Sequence, residues 1–433
     1  MNKDADKLSF EPAEHALWRP YAQMKTTPPG LPVASAEGVR IRLEDGRELI
    51  DGVSSWWTVC HGYRHPHIIN AVKAQLDAVP HVMLGGLTHQ PAERLARRLA
   101  DLAPGDLNHV FFCESGSVSV EIAMKIAVQS FINRGERGRT RFLAFRGGYH
   151  GDTLATMSVC DPEEGMHTLF AGAIARQVIA DLPVDEQSHD SLAALMEEQA
   201  PNLAGVVVEP LVQGAGGMRF HDAETLRSLR ALCDQYGLPL IFDEIMTGFG
   251  RLGTLFAAEK AGVTPDIMTV SKALTGGTLP LAAAIASTRL FETFWDEDAG
   301  KALMHGPTYM GNPAACAAAS ASLDLFEREP RLAQVHAIES MFAALLPQAL
   351  AIPGVVDVRW QGAIGVIEME SLPELNILKA EFVDAGVWVR PFNNIIYLMP
   401  PFVISAEDLQ TLISTTLRVT EGWARRHFSV RQG

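Results

Sequence analysis

Two short apolar runs, each followed by a charged residue, constrain the fold of this 433-residue chain more than any other feature. The first run, residues 240–242, is followed by Asp243, and the second, residues 267–270, is followed after one serine by Lys272. Runs of this length and composition are typical of buried strands in a parallel sheet. Parallel strands end at one edge of a sheet, where α/β proteins bind ligands, so we expect Asp243 and Lys272 to face one site.

A lysine and a buried aspartate have a joint use in pyridoxal phosphate chemistry. The lysine bonds to the cofactor's aldehyde, and the aspartate keeps the pyridine nitrogen protonated so that the ring accepts electrons. Lys272 would also serve as a general base, which makes Lys272 and Asp243 candidate catalytic residues. Either residue alone is explained by ordinary structure, a surface lysine or a helix cap. Their placement at two neighbouring strand ends favours the cofactor.

The motifs around this pair resemble those of the subgroup III aminotransferases of the fold-type-I pyridoxal phosphate enzymes. They read Asp243-Glu244-Ile245, Gly248-Phe249-Gly250-Arg251-Leu252-Gly253, Pro265-Asp266 and Ser271-Lys272-Ala273-Leu274-Thr275-Gly276-Gly277. The resemblance covers residues 18 to about 402. It implies an α/β fold, with a mostly parallel central sheet in a large domain and a smaller α+β domain. Met246 departs from the Gln or Val of several relatives.

The glycines Gly248, Gly250 and Gly253 also match the G-x-G-x-x-G pattern of dinucleotide-binding folds. That pattern needs a strand immediately before it and an acidic residue about 20 residues later. Here residues 243–247 intervene after the strand, and Asp266 comes too early. We therefore predict a glycine-rich turn at this position.

A Ser115-Gly116-Ser117 turn supplies a candidate phosphate site. It lies between an apolar run at 109–113, which reads as a strand, and a helix expected from Val118 onward. Free amides and the dipole at a helix N-terminus bind anions, so Gly116 and Ser117 are candidate cofactor-binding residues. Ordinary N-capping by Ser115 or Ser117 is the alternative. The turn also resembles the family's phosphate-binding turn, with Glu114 in place of the usual Asn or Asp.

Two further strand ends carry polar residues that point to the same site. The turn Tyr149-His150-Gly151 follows a predicted strand at 141–145. The resemblance implies that Tyr149 stacks on the cofactor ring and takes part in catalysis and in substrate binding, whereas a lone tyrosine would be a packed turn residue. Glu209 follows an apolar run at 205–208, and the sequence does not identify its partner.

Stretches outside the general motifs narrow the resemblance to one activity; they are Pro20-Tyr21, Ser54-Ser55-Trp56-Trp57, His81-Val82-Met83-Leu84-Gly85-Gly86-Leu87-Thr88-His89, His305-Gly306-Pro307-Thr308 and Val389-Arg390-Pro391-Phe392. It implies that 8-amino-7-oxononanoate receives an amino group from S-adenosylmethionine, by a ping-pong mechanism in biotin synthesis, to give 7,8-diaminononanoate. Tyr21, Trp56 and Tyr149 would wall an apolar cavity that opens on Lys272, and Arg390 would bind the acceptor's distal carboxylate through two hydrogen bonds. Adjacent tryptophans at 56 and 57 cannot both face a core on a regular element, so at least one is expected to line a cavity or a domain boundary.

Three alternatives remain open at this point. Lysine could be the amino donor, and a 4-aminobutyrate or ornithine type of ω-aminotransferase would share every cofactor motif. A non-catalytic cofactor-binding protein on the same fold is disfavoured, because such a protein has no need of Lys272.

The loop before an alanine-rich helix is implied to cross a dimer interface. It contains Gly306, Pro307 and Thr308. The resemblance implies a homodimer with shared active sites, in which Thr308 donates a hydroxyl to the phosphate bound by the partner and Pro307 shapes that contact. Gly306 is expected to contact substrate. A loop with an N-capping threonine is the alternative.

Composition limits the partners and the compartment. A net charge of −15 without a basic cluster argues against nucleic acid and against an anionic membrane surface. Five scattered cysteines without a C-x-x-C suit free thiols in a reducing cytoplasm. Residues 1–10 lack an apolar signal core, and no apolar run is long enough to cross a bilayer. His65-Pro66-His67 has no further ligand at metal-binding spacing, so we predict a surface turn and no metal site.

Changes of pattern along the chain suggest three regions. We expect an N-terminal segment, residues 1–60, that joins the small domain. A large cofactor-binding domain is expected over residues 61–320, and a C-terminal small domain over residues 321–433.

Overall fold

A seven-stranded sheet forms the centre of the computed structural model, which describes residues 16–163 and 168–428. The strands of the chain are β1 (Val33–Glu37), β2 (Arg40–Leu43), β3 (Glu48–Asp51), β4 (His109–Cys113), β5 (Arg141–Phe145), β6 (Val178–Ala180), β7 (Leu203–Val208), β8 (Val212–Gln213), β9 (Arg219–Phe220), β10 (Leu240–Asp243), β11 (Ile267–Val270), β12 (Ala282–Ala286), β13 (Val355–Gln361), β14 (Ile364–Met369), β15 (Val387–Trp388) and β16 (Ile395–Leu398). The central sheet has the order β4-β12-β11-β10-β7-β5-β6. Only β12 runs antiparallel to its neighbours there, so the predicted α/β fold with a mostly parallel sheet is confirmed.

Helices cover this sheet and connect its strands. They are α1 (Ser54–Trp57), α2 (Pro66–Ala78), α3 (Gln90–Leu102), α4 (Gly116–Asn133), α5 (Leu154–Ser158), α6 (Glu186–Gln199), α7 (Ala223–Tyr236), α8 (Ala257–Ala261), α9 (Thr288–Phe291), α10 (Pro313–Arg328), α11 (Arg331–Leu345), α12 (Leu375–Asp384) and α13 (Ala406–Phe428). Local sequence explains several ends. The Asp222 side chain caps α7 by accepting from the Thr225 amide, and Gly237 ends it with a φ of 63°.

The strands that carry the predicted catalytic pair are neighbours. β10 and β11 are parallel, with Asp243 opposite Thr269. Every residue of both strands is buried, as expected for strands with helices on both faces. Asp243 and Lys272 therefore emerge at the same edge of the sheet, as their positions in the sequence predict.

A second, four-stranded sheet joins the two ends of the chain. Its order is β1-β2-β3-β15, and the contact between β3 and β15 pairs Ile50 with Val387 in parallel. A third sheet, β13-β14-β16, is antiparallel and packs with α11. Residues from before 60 and after 320 thus share one hydrogen-bonded sheet.

The turn α1 is left-handed. Ser54, Ser55, Trp56 and Trp57 all have positive φ, between 47° and 74°. Left-handed backbone costs roughly 1–2 kcal/mol for each L-residue, so this turn needs support from its surroundings. The buried carboxylate of Asp51 supplies it by accepting hydrogen bonds from the amides of Val53 at 2.8 Å and Ser55 at 3.1 Å. The result is that Trp57 is buried while the ring of Trp56 is 40% exposed.

Two sequence interpretations concern turns. The glycine-rich stretch is a turn as predicted, since no helix begins there before α8 and Gly250 and Gly253 have φ of 90° and 92°. The prediction of a surface turn at His65-Pro66-His67 is wrong. His65 caps α2, and Nε2 of His67 lies 2.8 Å from Asp324 on α10, because the proline begins a helix that packs on α10.

The five cysteines are free and buried. None of the helices in the described parts of the chain combines the length and the apolar composition needed to cross a membrane. The polar residues 1–10, and with them the start of the predicted segment 1–60, lie outside the described residues.

Candidate active site

A cavity of about 540 Å³ lies where the central sheet edge faces the sheet that joins the chain ends. Its lining includes most of the residues predicted from sequence: Tyr21, Trp56, Gly116, Ser117, Tyr149, Asp243, Lys272 and Arg390. Gly306, Pro307 and Thr308 do not line it. One chain therefore brings together the predicted catalytic residues and both predicted ends of a substrate pocket.

Lys272 stands at the floor of this cavity. It begins the short 3-10 turn after β11, with a φ of 46°, and its Nζ atom lies 4.2 Å from the centre of the Trp57 ring. Burial lowers the pKa of Lys272 to about 8, although Asp243 and Glu209 act in the opposite direction. At neutral pH about a tenth of such amines are uncharged, far more than for an ordinary lysine, so Lys272 is suited to act as a nucleophile.

Asp243 is held by a histidine that sequence analysis did not select. Nδ1 of His150 lies 2.7 Å from one carboxylate oxygen of Asp243, and the amide of Ile245 donates to the other at 3.1 Å. Burial alone would lower the pKa of His150, but the hydrogen bond and the charge of Asp243 outweigh it and raise the pKa. The contact thus fixes the orientation of the Asp243 carboxylate within the cavity lining.

Glu209 has two backbone partners. Its carboxylate accepts hydrogen bonds from the amides of Tyr149 and Gly214, each at 3.0 Å. Burial raises its pKa to about 7. Glu209 therefore connects the Tyr149 turn and the glycine loop after β8 to the end of β7. These backbone amides are the partners of Glu209 that the sequence did not identify.

Tyr149, Tyr21 and Asp152 form a polar cluster on one wall. The Tyr149 hydroxyl donates to Asp152 at 3.0 Å, Tyr21 donates to the other carboxylate oxygen, and the two hydroxyls are 3.3 Å apart. Burial and the nearby Asp152 raise the pKa of Tyr21 to about 12, so its hydroxyl stays a donor at neutral pH. Asp152 directly follows the Tyr149-His150-Gly151 turn, but the sequence does not identify it as a site residue, since a single acid after a turn is usually exposed.

Arg390 marks the other end of the cavity. Its guanidinium lies 4.5 Å from the centre of the Trp56 ring, and Trp56 meets Tyr21 edge to face at 6.1 Å. In the parts of the chain that the structure describes, Arg390 forms no ion pair. A cation that is stacked on an aromatic ring and lacks a protein carboxylate is available for an anionic ligand.

The start of α4 fits a phosphate. Gly116 and Ser117 are its first two residues and line the cavity, and the first amides of a helix have no partner within it. Ser115 also caps this helix by accepting from the Val118 amide at 3.4 Å, so capping and anion binding coexist. A Cβ at Gly151 would lie 2.1 Å from the Ser117 hydroxyl oxygen, so glycine is required for this close approach.

The residues present therefore fit pyridoxal phosphate. Lys272 and Asp243 have the chemistry that its aldehyde and its ring nitrogen require, and the α4 N-terminus suits its phosphate. Met246, the departure from the family pattern, is buried and lines the same cavity.

The loop that carries Gly306, Pro307 and Thr308 lies on the surface of the chain. Lys125 anchors it by donating to the Met304 carbonyl at 2.8 Å. Thr308 is exposed, and the neighbouring Met304 and Tyr309 are 76% and 58% exposed. These three residues are thus separate from the cavity of their own chain.

Comparison with known proteins agrees with this geometry. Residues 21–419 match the family described as aminotransferase class-III. The chain is 46% identical over 412 residues to the adenosylmethionine-8-amino-7-oxononanoate aminotransferase of Mycobacterium leprae, covering 93% of this chain and 94% of that protein. It is 43% identical over 417 residues to the enzyme of the same name from Corynebacterium glutamicum, covering 94% and 97%.

Solved structures show the same fold. The adenosylmethionine-8-amino-7-oxononanoate aminotransferase of Methanocaldococcus jannaschii matches with a TM-score of 0.89 at 31% identity, over 94% of this chain and 97% of that one. A pyridoxal phosphate-bound amine transaminase from an uncultivated Pseudomonas species matches with a TM-score of 0.86 at 30% identity, over 98% and 100%.

Proposed function

The chain belongs to the class-III aminotransferases, which use pyridoxal phosphate, and we propose that it transfers the amino group of S-adenosylmethionine to 8-amino-7-oxononanoate in biotin synthesis. One observation carries the proposal. A single cavity has Lys272 and Asp243 at its floor and Arg390 at its far end, with aromatic rings between them. This arrangement suits an acceptor whose ketone and carboxylate are separated by a long apolar chain.

The residues that line the cavity have different roles in the proposed reaction. The bound cofactor supplies an electron sink for the substrate carbon that loses its proton. Lys272 would hold the cofactor and would serve as the base that moves the substrate proton. Asp243 would keep the ring nitrogen protonated, and His150 orients Asp243. Gly116 and Ser117 would bind the phosphate, and Tyr149 would stack on the ring.

The far half of the cavity recognises the acceptor. The rings of Tyr21, Trp56 and Tyr149 cover its apolar chain, and Arg390 binds its carboxylate. Donor and acceptor use this cavity in turn, as ping-pong chemistry requires. The sulfonium and the adenine of S-adenosylmethionine suit the aromatic faces of Tyr21 and Trp56.

We infer that the active unit is a homodimer with shared sites, in the cytoplasm. Met83, Leu87, Met304 and Tyr309 expose apolar surface, and His81 contacts Tyr309 at 4.5 Å between ring centres, so the segments that carry these residues meet at this contact and we infer an apolar patch there. Such a patch is typical of a contact between subunits. Within a two-fold dimer, Gly306, Pro307 and Thr308 would reach the partner's cavity. Five free, buried thiols fit a reducing compartment.

A donor panel tests the proposed reaction. Holoenzyme is incubated with 8-amino-7-oxononanoate and, separately, S-adenosylmethionine, lysine, 4-aminobutyrate or ornithine, and the diamine product is measured. We expect product with S-adenosylmethionine. Formation of product with lysine and not with S-adenosylmethionine would identify lysine as the amino donor and overturn the proposed donor. Turnover of 4-aminobutyrate or ornithine without use of the oxononanoate would overturn the proposed reaction.

The cofactor lysine is tested separately. Reduction of the holoenzyme with borohydride should fix the cofactor to one peptide, which should contain Lys272. A labelled peptide without Lys272 would refute the central assignment.

A further inference from the structure

The far end of the cavity contains a second cation. Leu375 and Lys379 are four residues apart on α12, and both line the cavity beside Arg390. Residues with this spacing share one face of a helix, so this face of α12 forms part of the cavity wall. Leu378, the residue before Lys379, is fully buried and anchors the helix.

Lys379 is close enough to Arg390 for their charges to interact. Burial lowers the pKa of Lys379, and the charge of Arg390 lowers it further. Two like charges in a partly buried place repel each other, and that repulsion is reduced when an anion binds between them. Lys379 and Arg390 therefore make this end of the cavity favourable for a negatively charged group.

The acidic residues of this region are already engaged elsewhere. Glu374 pairs with His427, Glu381 pairs with Arg426, and Asp384 pairs with Arg47. Within residues 16–163 and 168–428, neither Lys379 nor Arg390 forms an ion pair. A lysine on an exposed helix face normally turns its charged group away from other cations and toward water. Lys379 instead lines the cavity beside Arg390.

We propose that Lys379 is a specificity-determining residue that, together with Arg390, binds the distal carboxylate of the acceptor. Arg390 offers a planar pair of donors, and Lys379 offers a point charge that meets the carboxylate from α12. The two cations select acceptors that carry a full negative charge at the far end and disfavour neutral chains of the same length. This inference rests on the proposed function, since it takes 8-amino-7-oxononanoate as the acceptor.

Steady-state kinetics of Lys379→Gln test the inference. Glutamine keeps most of the side-chain length and removes the charge, and Lys379→Arg keeps the charge. Lys73→Gln on the exposed face of α2 is the matched control for the loss of one positive charge. Each variant is assayed with 8-amino-7-oxononanoate and with its methyl ester, which has no charge at the far end.

We expect Lys379→Gln to raise the KM for the acid by about tenfold, as loss of one charge-assisted hydrogen bond predicts. The maximal rate and the KM for the ester should stay close to those of the wild type. Lys379→Arg and Lys73→Gln should discriminate between acid and ester as the wild type does. A structural role for Lys379 would instead change the constants for acid and ester equally.

The kinetics distinguish a failure of the proposed function from a failure of the proposed role of Lys379. If the wild type does not aminate the acid, the proposed function fails. If the wild type aminates the acid and Lys379→Gln keeps the wild-type ratio of KM values for acid and ester, the proposed role of Lys379 is wrong.

Discussion

Nδ1 of His150 lies 2.7 Å from a carboxylate oxygen of Asp243, and both side chains are buried beneath the cavity. The histidine comes from the turn after β5 and the aspartate from the end of β10. The contact therefore joins two strand ends of the central sheet through the residue that we propose for the cofactor nitrogen.

The first prediction concerns this pair. His150→Phe keeps a ring and removes the hydrogen bond that orients Asp243, so both half-reactions should slow by roughly tenfold or more. Asp243→Asn removes the charge itself and should lose most of the rate while the fold survives. Stopped-flow spectra of each half-reaction measure both effects. Near-normal rates in Asp243→Asn would show that the electron sink does not depend on this residue.

The second prediction concerns pH. The uncharged form of Lys272 attacks the cofactor, and its pKa is lowered to about 8, so the rate of cofactor attachment to the apoenzyme should rise with pH and level off above about pH 8. Because the charge of Asp243 raises this pKa, Asp243→Asn should move the bend to lower pH. A rate that keeps rising to about pH 10 would indicate an ordinary lysine pKa instead.

The third prediction concerns the shared site. Lys272→Ala and Thr308→Ala should each impair the homodimer. If Thr308 acts on the partner's phosphate, a mixed dimer contains one site with both wild-type residues and should regain activity. Purified heterodimers with different tags provide the measurement. Absence of any regain would place Thr308 in the site of its own chain.

The fourth prediction concerns the left-handed turn α1. Asp51→Ala removes the acceptor for the Val53 and Ser55 amides and for the Tyr63 hydroxyl at 2.7 Å. Unsatisfied buried donors and a strained turn should lower the free energy of unfolding by about 3 kcal/mol, measured by urea denaturation. Tyr63→Phe keeps the carboxylate and should cost about 1 kcal/mol. Equal losses in the two variants would mean that Asp51 does not support the turn.

The fifth prediction separates binding from structure at the far end of the cavity. Arg390→Ala should weaken both half-reactions, because donor and acceptor each carry a carboxylate. Trp56→Ala should also raise the KM for both substrates, since its exposed ring covers Arg390. The free energy of unfolding should change little for Trp56→Ala. A large loss of stability with unchanged substrate constants would instead identify Trp56 as a structural residue.

The catalytic floor could be predicted because its determinants are local. Short apolar runs read as buried strands, and parallel pairing brings Asp243 and Lys272 to one edge without any knowledge of the rest of the chain. The phosphate turn follows the same rule, since the start of α4 comes directly after β4. In each case the position of the residue within its own element determines its place in the site.

Other parts of the site depend on contacts that no pattern in the amino-acid sequence indicates. The left-handed turn of Ser54–Trp57 contains no glycine, and it is stabilised by the carboxylate of Asp51, which belongs to no recognisable sequence motif. The partners of Glu209 are backbone amides, which every residue has. Lys379 reads as one of the charged residues of a helix, and its importance arises from the orientation of α12 toward Arg390.

The pairing of Ile50 with Val387 has a consequence for the order in which the enzyme is made. A chain emerging from the ribosome can form β10 and β11, and thus the floor with Asp243 and Lys272, long before β15 exists. β1, β2 and β3 can pair with one another, but the outer edge of β3 stays unpaired until residues 387 and 388 have been synthesised, and Arg390 comes after those residues. We therefore expect nascent chains that end before β15 to need protection by chaperones. Their exposed strand edge can pair with other chains and so favours aggregation.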